Sequence, residues 1–437
     1  MSNDAADCLA ADDAAESPAG DALSIRAAAS EAGNRPAIIT ASKTLTFADC
    51  EREVQLAGSR GVTAISATPT IETILAIYAA LEARRPIALM HPRLASHELD
   101  RQRAEVAAAQ LPDGAAIVLF TSGSTGAARG VVLTRAALIA AAGASAAHLG
   151  WTDDDRWLLC LPLAHAGGLS IVIRCLAARR PIVFHDADFA PREVAALARG
   201  ARATLASLVP TQLAALLDHI DGSEPLRAVL IGGAAASPTQ VQAAIARGLP
   251  IRTSYGLTET FGQVATAPSC EALPRPLPGV ELAAGTREHP ALIRIRGPML
   301  AMAYLDGAPI APELVTADLG YLDDDGLHVL GRADDVIITG GENVHPAEIE
   351  SVVATTPGVL AACAFGLADP IWGQIVAVAL TIDGAFDPEL ARTRWQSTLP
   401  PHARPRQVLI VETLPLLPSG KVDRRAATEL ALAVPPG

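Results

Sequence analysis

The sequence predicts an α/β fold with a large N-terminal domain and a smaller α+β domain at the C-terminus. Short β-like runs alternate with Ala-rich helical stretches through about residue 330, as in layered α/β subdomains. Residues 292–335 alternate apolar and polar side chains around an Asp-Asp-Gly turn, which predicts a small antiparallel, barrel-like part. After Asp334, predicted strands and helices alternate again over a shorter stretch.

The predicted elements follow one another in a definite order. Residues 1–24 are acidic where a signal peptide would need basic residues and an apolar core, so we interpret them as a disordered tail. The large domain is expected over residues 25–334 and the small domain over residues 335–437. Predicted strands of the large domain include residues 115–121, 181–185, 227–231 and 251–255. The small domain is expected to contain strands at 360–365, 375–380 and 407–411, with helices at 346–355 and 388–398.

Composition limits the classes of function. The formal net charge is −13 and no basic run exceeds three residues, so a nucleic-acid partner is not expected. The six cysteines are scattered without a C-x-x-C pair, which is typical of a reducing compartment and gives no zinc signature. No uncharged apolar run is long enough for a membrane span. The expected location is therefore the cytoplasm, and a homodimer is kept as one expectation for the oligomeric state.

The strongest local signal is L-F-T-S-G-S-T-G-A-A-R-G over residues 119–130. A predicted strand leads into six consecutive Thr, Ser and Gly residues, and a base follows. Glycines let backbone N–H groups converge on an anion, while hydroxyls add donors and the base adds charge. The pattern predicts a polyphosphate loop, although it is not a Walker A sequence. The alternative is a flexible polar turn.

Three further motifs are weaker when each is taken alone. In Y-G-L-T-E-T over residues 255–260, a tyrosine can stack on a base, a threonine can bind a phosphate and a glutamate can bind Mg²⁺. The same residues are equally compatible with a capped helix start. Asp318 and Arg332 flank the Asp-Asp-Gly turn and could form a surface salt bridge, and Lys421 could be an ordinary exposed lysine.

Taken together, these motifs resemble the acyl-adenylate-forming superfamily, which includes acyl-CoA synthetases, nonribosomal adenylation domains and luciferases. The order and separations of the motifs match from Leu45 to Arg425. Besides those above, the matching motifs are L-T-F at 45–47, G-R-A-D-D at 331–335, T-G-G-E-N-V-H-P-A-E-I-E at 339–350 and P-S-G-K-V-D-R-R at 418–425. The resemblance implies that ATP, Mg²⁺ and coenzyme A are the cofactor and co-substrates, and that the small domain is mobile.

The resemblance also implies a role for each matching residue. Those expected to bind the phosphates are Thr121, Ser122, Gly123, Ser124, Thr125, Gly126 and Arg129, the last of these replacing the family's usual lysine. Those expected near the nucleoside are Gly232, Gly233, Ala234, Tyr255, Gly256, Asp318 and Arg332. Thr258 would contact the α-phosphate, Glu259 would bind Mg²⁺, and Lys421 would be catalytic. Asp334 would be the hinge, with Gly340 and Gly341 beside the pantetheine of coenzyme A.

Within the superfamily, the chain most resembles the o-succinylbenzoate–CoA ligase family. The resemblance depends on L-P-L-A-H-A-G-G-L-S at 161–170 followed by Arg174, on A-S-L-V-P-T-Q-L at 206–213 and on V-L-I-G-G-A-A at 229–235. An aspartate that would pair with an amino-acid substrate is missing, and no carrier-protein segment follows Gly437, so coenzyme A is the expected acceptor. Residues expected to contact the acid are His165, which is also expected to be catalytic, Gly168, Arg174, Ser207 and Thr260.

Several alternatives remain open at this stage. The acid could be another aryl or dicarboxylic acid, or the protein could be a non-catalytic nucleotide-binding homologue. The intact Glu259, Asp334 and Lys421 favour an enzyme. A hydrolase or acyltransferase is disfavoured because G-x-S-x-G and H-H-x-x-x-D are both missing. Arg174 lies in an otherwise apolar stretch, where a charge needs a partner. That partner could be a protein acid, bulk solvent or a carboxylate of the substrate.

Overall fold

The computed structural model describes residues 21–57, 64–121, 128–417 and 421–433. Within these ranges the helices are, in chain order, α1 (Ile25–Ala32), α2 (Phe47–Ala57), α3 (Ile71–Glu82), α4 (Ser96–Ala108), α5 (Arg135–Leu149), α6 (Ala166–Ala178), α7 (Pro191–Gly200), α8 (Pro210–Leu216), α9 (Pro238–Ala246), α10 (Pro346–Val353), α11 (Pro388–Thr398) and α12 (Arg424–Ala433). Short 3₁₀ turns lie at Thr258–Thr260, Ala333–Asp335 and Pro401–Ala403.

The strands of the same ranges form four sheets. In chain order they are β1 (Pro36–Ile39), β2 (Thr44–Thr46), β3 (Ala64–Ser66), β4 (Ile87–Met90), β5 (Ala115–Phe120), β6 (Gly130–Thr134), β7 (Trp157–Leu159), β8 (Ile182–Phe184), β9 (Leu205–Leu208), β10 (Ala228–Ile231), β11 (Ile251–Leu257), β12 (Gly262–Thr266), β13 (Arg275–Pro276), β14 (Glu281–Ala283), β15 (Ala291–Arg296), β16 (Ala303–Tyr304), β17 (Leu314–Asp323), β18 (Gly326–Arg332), β19 (Ile337–Thr339), β20 (Glu342–Val344), β21 (Val359–Asp369), β22 (Gly373–Ile382) and β23 (Gln407–Ile410).

The largest sheet has nine strands in the order β13-β12-β11-β10-β9-β7-β8-β1-β2. Its central strands β8, β7, β9, β10 and β11 run parallel. Strands β7 to β10 are buried along their whole length, which explains their continuous apolar sequences. In open parallel sheets, ligands bind beyond the carboxyl ends of the strands. A ligand site is therefore expected at the loops after β9, β10 and β11.

A second sheet has the order β16-β6-β5-β4-β3. Strand β5 has the sequence A-A-I-V-L-F and is buried throughout, and it turns back antiparallel into β6. The hairpin loop between β5 and β6 contains the predicted phosphate loop. Strand β16 joins the same sheet beside β6, although it is almost 170 residues further along the chain.

The predicted antiparallel, barrel-like part is the sheet β14-β15-β17-β18. Strands β17 and β18 form a hairpin whose register pairs Asp318 with Arg332 and closes where Asp323 faces Gly326. The small domain has the sheet β20-β19-β22-β21, with β23 added parallel to β22. Helices α10, α11 and α12 pack beside it. The predicted fold class is confirmed, while the domain bounds at residues 334 and 335 stay a prediction.

The expected tail is wrong for its last four residues. Arg135 donates to both carboxylate oxygens of Asp21 at 2.7 Å, and Leu23 is fully buried. The hydroxyl of Ser24 caps α1 by accepting a hydrogen bond from the N–H of Ala27 at 3.0 Å. Residues 21–24 therefore belong to the folded domain, because a paired carboxylate, an apolar side chain and a helix cap fix them. Residues 1–20 lie outside the described ranges.

In the part of the chain that the structure describes, no helix combines the length and apolar character needed to cross a membrane. The described cysteines, Cys50, Cys160, Cys175, Cys270 and Cys363, are free thiols.

Candidate active site

A cleft opens beyond the carboxyl ends of the parallel strands. Its wall combines loops after β9, β10 and β11 with the start of α6 and one residue of the small domain. Residues that line it and were predicted from the sequence are His165, Gly168, Arg174, Ser207, Gly232, Gly233, Gly256, Thr258 and Lys421. The cleft is therefore the candidate active site.

The nucleoside side of the cleft has little side-chain bulk. Gly232 and Gly233 directly follow β10, and a Cβ on Gly232 would lie only 2.7 Å from Oγ of Ser254. Gly233 has a φ of +81°, which favours glycine. Together they leave a flat strip on which a planar base can lie. Ala234, expected in the same strip, is exposed and is not among the residues that line the cleft.

Tyr255 and Asp318 are joined by a hydrogen bond, in which the phenol donates to Oδ2 of Asp318 at 2.7 Å. Burial and the neighbouring Asp318 carboxylate raise the pKa of Tyr255, so the phenol keeps its proton. Arg332 faces Asp318 across the hairpin but donates two hydrogen bonds to Asp334, at 2.8 and 3.1 Å. This contact lowers the pKa of Asp334. The predicted ribose pair and the predicted hinge are thus neighbours.

Lys421 enters the cleft from the small domain. Its carbonyl accepts the N–H of Leu417 at 2.8 Å, and Leu416 forms a bridge with Val422. Its Cε lies 3.6 Å from the point where a Cβ on Gly233 would be. Burial lowers the pKa of Lys421, and the charges of Asp318 and Glu259 oppose that lowering. Lys421 is therefore not an ordinary exposed lysine.

The phosphate side is described at its two ends. The N–H of Thr121 donates to the carbonyl of Arg129 at 2.9 Å, and the N–H of Arg129 donates to Oγ1 of Thr121 at 3.0 Å. The guanidinium of Arg129 lies 3.5 Å from the ring centre of Tyr304 and forms an ion pair with Asp306 at 2.9 Å. The residues Ser122, Gly123, Ser124, Thr125 and Gly126 lie outside the described ranges.

Thr258, Glu259 and Thr260 form a 3₁₀ turn after β11, with Leu257 at the N-cap position, so the alternative of a helix start capped by a threonine is wrong. Thr258 lines the cleft. Glu259 accepts a hydrogen bond from the Tyr304 hydroxyl at 3.0 Å, and burial together with this carboxylate raises the pKa of Tyr304 to about 12. Thr260 is fully buried, and its hydroxyl bonds the carbonyls of Leu257 and Gly262 at 3.1 and 2.6 Å. The expected contact of Thr260 with the acid stays a prediction, and in this structure its hydroxyl stabilises the turn.

His165 stands at the N-terminus of α6, where the chain enters the cleft. Its ring lies 5.2 Å from that of His91, and its Nε2 has no hydrogen-bond partner among the described residues. Burial, followed by the charges of His91 and Lys421, lowers the pKa of His165 to about 4. The ring is neutral at pH 7. Gly168 lies one turn further, where a Cβ would overlap the carbonyl of Pro162.

Arg174 lies further along the same helix and is only 4% exposed. Its Nε has no hydrogen-bond partner, and no carboxylate is paired with its guanidinium among the described residues. Its guanidinium carbon is 5.3 Å from the Trp157 ring, and Trp157 donates its Nε1–H to Oγ of Ser207 at 3.1 Å. Burial lowers the pKa of Arg174 to about 10, so it remains charged at pH 7. No protein acid among the described residues is paired with this charge, and the side chain lines the cleft.

Known families and proteins resemble this chain along most of its length. The AMP-binding enzyme family matches residues 100–305, and the AMP-binding enzyme C-terminal domain matches residues 348–421. The 2-succinylbenzoate–CoA ligase of Listeria monocytogenes is 33% identical over 332 residues, covering 72% of this chain and 70% of that protein. The chain belongs to the AMP-binding enzyme family. It is an AMP-forming acyl-CoA ligase.

Solved structures of other proteins are similar to this chain in fold. The o-succinylbenzoate CoA synthetase of Bacillus subtilis, in complex with the acyl-adenylate intermediate OSB-AMP, matches with a TM-score of 0.83 and 27% identity. That match covers 93% of this chain and 98% of the other. The same Bacillus subtilis protein has also been solved in complex with ATP and a magnesium ion, with a TM-score of 0.81 and 28% identity, covering 93% and 98% of the two chains.

A double mutant of the Bacillus subtilis protein, bound with the product analogue OSB-NCoA, matches this chain less closely. Its TM-score is 0.65 at 28% identity, although the match again covers 93% of this chain, with 97% of the other. The structure described here is therefore more similar to the complex with the acyl-adenylate than to the complex with OSB-NCoA. The position of Lys421 in the cleft agrees with this.

Gly340 and Gly341 do not line the cleft. They form the turn between β19 and β20, with φ values of +61° and +86°. A Cβ on Gly340 would lie 2.8 Å from the ring of Trp372, whereas a Cβ on Gly341 would meet no atom within 4 Å. The two glycines stay predicted residues of the coenzyme A site, and neither is among the residues that line the cleft.

Three residues next to the predicted ones were missed by the sequence interpretation. Tyr304 donates to Glu259, the ring of His91 lies 5.2 Å from that of His165, and Trp157 lies beside Arg174. A signal existed for two of them, since the chain has only four tyrosines and four tryptophans. A rare aromatic residue in an Ala-rich sequence is a candidate site residue. His91 follows β4 and gave no comparable signal.

Proposed function

We propose that this ligase activates o-succinylbenzoate, forming o-succinylbenzoyl-AMP and pyrophosphate, and then transfers the acyl group to coenzyme A. The single observation that favours this acid is Arg174, a buried cation in the wall of the cleft with which no carboxylate of the described residues is paired. A dicarboxylic aromatic acid supplies one carboxylate for the reaction and a second for this cation. The relatives named above as 2-succinylbenzoate–CoA ligases support the same choice.

The geometry at Arg174 supports recognition of an anionic group. A buried, unpaired charge is unfavourable unless a partner arrives with the ligand. Ser207 accepts its hydrogen bond from Trp157, so its own hydroxyl hydrogen remains available as a donor. The guanidinium, the Ser207 hydroxyl and the apolar wall around Leu161 together suit a carboxylate attached to an aromatic body. His165 is neutral and suits the flat face of the ring.

In the first half-reaction, a carboxylate oxygen of the acid attacks the α-phosphorus of ATP and pyrophosphate leaves. Both reactants are anions, so the attack needs positive charge that is already in place. We assign this role to Lys421, whose Cε lies close to Gly233. Thr258 is assigned as the hydroxyl donor to the α-phosphate, and the strip at Gly232 together with Tyr255 and Asp318 is assigned to the nucleoside.

Glu259 suits a magnesium ion by the chemistry of its donors. The carboxylate of Glu259 accepts one hydrogen bond, from the neutral phenol of Tyr304. Among the described residues, no group of three or more His, Cys, Asp or Glu side chains is placed to hold a metal ion. Magnesium commonly uses one or two protein carboxylates and completes its coordination with phosphate oxygens and water. When bound, the ion neutralises phosphate charge. Glu259 is assigned to hold it.

In the second half-reaction, the thiol of coenzyme A attacks the acyl carbon and AMP leaves. We assign Asp334 as the hinge that lets the small domain withdraw Lys421 and bring Gly340 and Gly341 to the cleft. A cytoplasmic location and a homodimer also remain proposals for this protein.

Gly341 gives a test of the second half-reaction. Gly341→Leu should block thioester formation while pyrophosphate release continues, because the side chain would fill the space assigned to pantetheine. The present structure leaves room for a Cβ at this position, although its φ of +86° disfavours any L-residue. Gly341→Ala is the matched control, since it has the same backbone strain without the bulk. Loss of pyrophosphate release in both variants would mean that Gly341 is only a turn glycine.

The proposed function is tested with a panel of acids. Pyrophosphate release and thioester formation would be measured with o-succinylbenzoate, benzoate-like monoacids, aliphatic dicarboxylic acids and fatty acids, each with and without coenzyme A. We expect kcat/KM to be highest for o-succinylbenzoate and the thioester to appear only with coenzyme A. A wild-type preference for monoacids would contradict the choice of acid and leave the ligase assignment intact.

A further inference from the structure

Four side chains form a connected chain between the phosphate side of the cleft and the turn at Glu259. Asp306 pairs with Arg129 at 2.9 Å, and the Arg129 guanidinium lies 3.5 Å from the centre of the Tyr304 ring. The hydroxyl of Tyr304 donates to Oε1 of Glu259 at 3.0 Å. Neither Tyr304 nor Asp306 has a role in the function proposed above.

The backbone fixes Tyr304 between the two groups that it contacts. Strand β16 pairs Tyr304 with Val131 of β6, and the N–H of Leu305 donates to the carbonyl of Gly130 at 2.8 Å. A Cβ on Gly130 would overlap the side chain of Leu305, so the two backbones approach closely because residue 130 is glycine.

On the other side, the N–H of Ala301 donates to the carbonyl of Glu259 at 2.7 Å. The short segment 301–305 therefore connects the turn at Glu259 with the return strand of the phosphate loop. A side chain on this segment can influence both.

We propose that Tyr304 is a positioning residue for the binding of magnesium and ATP, and that Asp306 competes with ATP for Arg129. This inference rests on the proposed function, because it takes Glu259 as the magnesium ligand. The Tyr304 hydroxyl holds the carboxylate of Glu259 in one orientation, and the Tyr304 ring holds the guanidinium of Arg129 next to the start of β6.

The exposure of the Arg129–Asp306 pair allows the exchange. The two side chains are 47% and 60% exposed, and solvent-exposed ion pairs are weak. A phosphate group carries more charge than a carboxylate and accepts two parallel hydrogen bonds from a guanidinium. Arg129 can therefore leave Asp306 for a terminal phosphate while it remains stacked on the Tyr304 ring. An arginine suits this stacking better than the family's usual lysine, because its guanidinium is planar.

The hydroxyl is tested with Tyr304→Phe, which removes the donor to Glu259 and keeps the ring under Arg129. The dissociation constant of a non-cleavable α,β-methylene ATP would be measured by calorimetry, with Mg²⁺ and separately with EDTA. We expect Tyr304→Phe to weaken binding about tenfold with Mg²⁺ and to change it little with EDTA, the loss expected for one hydrogen bond to a charged group. Titration of Mn²⁺ in the presence of the analogue, followed by electron paramagnetic resonance, should show the same weakening.

Tyr321→Phe is the matched control. Tyr321 also lies under an arginine, with the Arg287 guanidinium 5.1 Å from its ring centre, but it stacks on His328 in the barrel-like sheet. It should bind the analogue as the wild type does in both conditions. Equal weakening of Tyr304→Phe with Mg²⁺ and with EDTA would mean that Tyr304 only supports the fold. Thermal unfolding of each variant without ligand shows whether the fold is retained.

The competition is tested with Asp306→Asn in two backgrounds. In the wild-type background it should tighten binding of the analogue about threefold, because Arg129 no longer has a carboxylate partner. In the Arg129→Ala background the same substitution should have no effect, and the difference gives the coupling between the two residues. An identical effect in both backgrounds would overturn the competition.

These outcomes can be separated from a failure of the proposed function. If the wild type did not bind the ATP analogue, the assignment of the nucleotide site would fail. If the wild type binds and Tyr304→Phe behaves like Tyr321→Phe, only the role of Tyr304 is wrong.

Discussion

Replacing Lys421 with alanine should slow adenylate formation by about 10²–10³-fold, the usual loss when one transition-state donor is removed. Thioester formation from supplied acyl-AMP and coenzyme A should remain nearly normal. Lys421 lies in the cleft beside Gly233. Its positive charge is needed there only in the first half-reaction, because the negative charge of the triphosphate is present only until pyrophosphate leaves. Pyrophosphate release and thioester formation would be measured separately.

Two control substitutions make this test specific. Lys43 is the other lysine among the 34 basic residues and is exposed, so Lys43→Ala should leave both half-reactions unchanged. Lys421→Arg keeps the charge and should recover only part of the activity, because a planar fork replaces a compact ammonium. An equal loss in both half-reactions for Lys421→Ala would contradict the alternation of the small domain.

Replacing Arg174 with alanine should lower kcat/KM for o-succinylbenzoate by about 30-fold or more. Truncating one partner of a desolvated charge pair costs about 2–5 kcal/mol. Arg174 is 4% exposed and its Nε has no hydrogen-bond partner among the described residues, so the second carboxylate of the acid is the partner that would be lost. Benzoate-like monoacids should react at nearly the wild-type rate, because they never pair with this cation.

The stability of the variants distinguishes a substrate-binding arginine from a structural one. Arg174→Met keeps most of the volume and removes an unpaired buried charge, so Tm without ligand should stay the same or rise. Arg179 is the matched contrast, since it is also buried but binds Glu31 and the carbonyls of Ala22 and Leu176. Arg179→Met should lower Tm clearly. A lower Tm for Arg174→Met, with equal losses on both classes of acid, would show that Arg174 is structural.

Most of the architecture could be predicted from the sequence, because the signals are local. Strand β5 is a continuous apolar run, and the predicted strands at 181–185, 227–231 and 251–255 correspond to β8, β10 and β11. Fully buried parallel strands require such runs, so their positions can be recognised without any distant residue. The predicted N-terminal tail extends four residues too far, to residue 24. The sequence could not show this, because the partner of Asp21 is Arg135, more than a hundred residues away.

The individual roles within the site depended on long-range contacts. The sequence indicated that Arg174 needs a partner, but only the fold shows that no acidic side chain approaches it in the described residues. Thr260 follows Glu259 directly and was expected to contact the acid, yet the turn points its hydroxyl at two carbonyls. Adjacent residues of a turn point in different directions, and the sequence motif does not specify which of them faces a ligand.

The sequence by itself determined the family, the order of the motifs and the chemical type of each predicted site residue. Only the tertiary structure decided which side chains meet: Tyr304 with Glu259, Arg129 with Asp306 and His91 with His165. Arg129 and Asp306 are 177 positions apart and come within 2.9 Å because β16 pairs with β6. A motif can be read from the residues next to it in the chain, whereas a contact of this kind depends on sheet register and packing between distant segments.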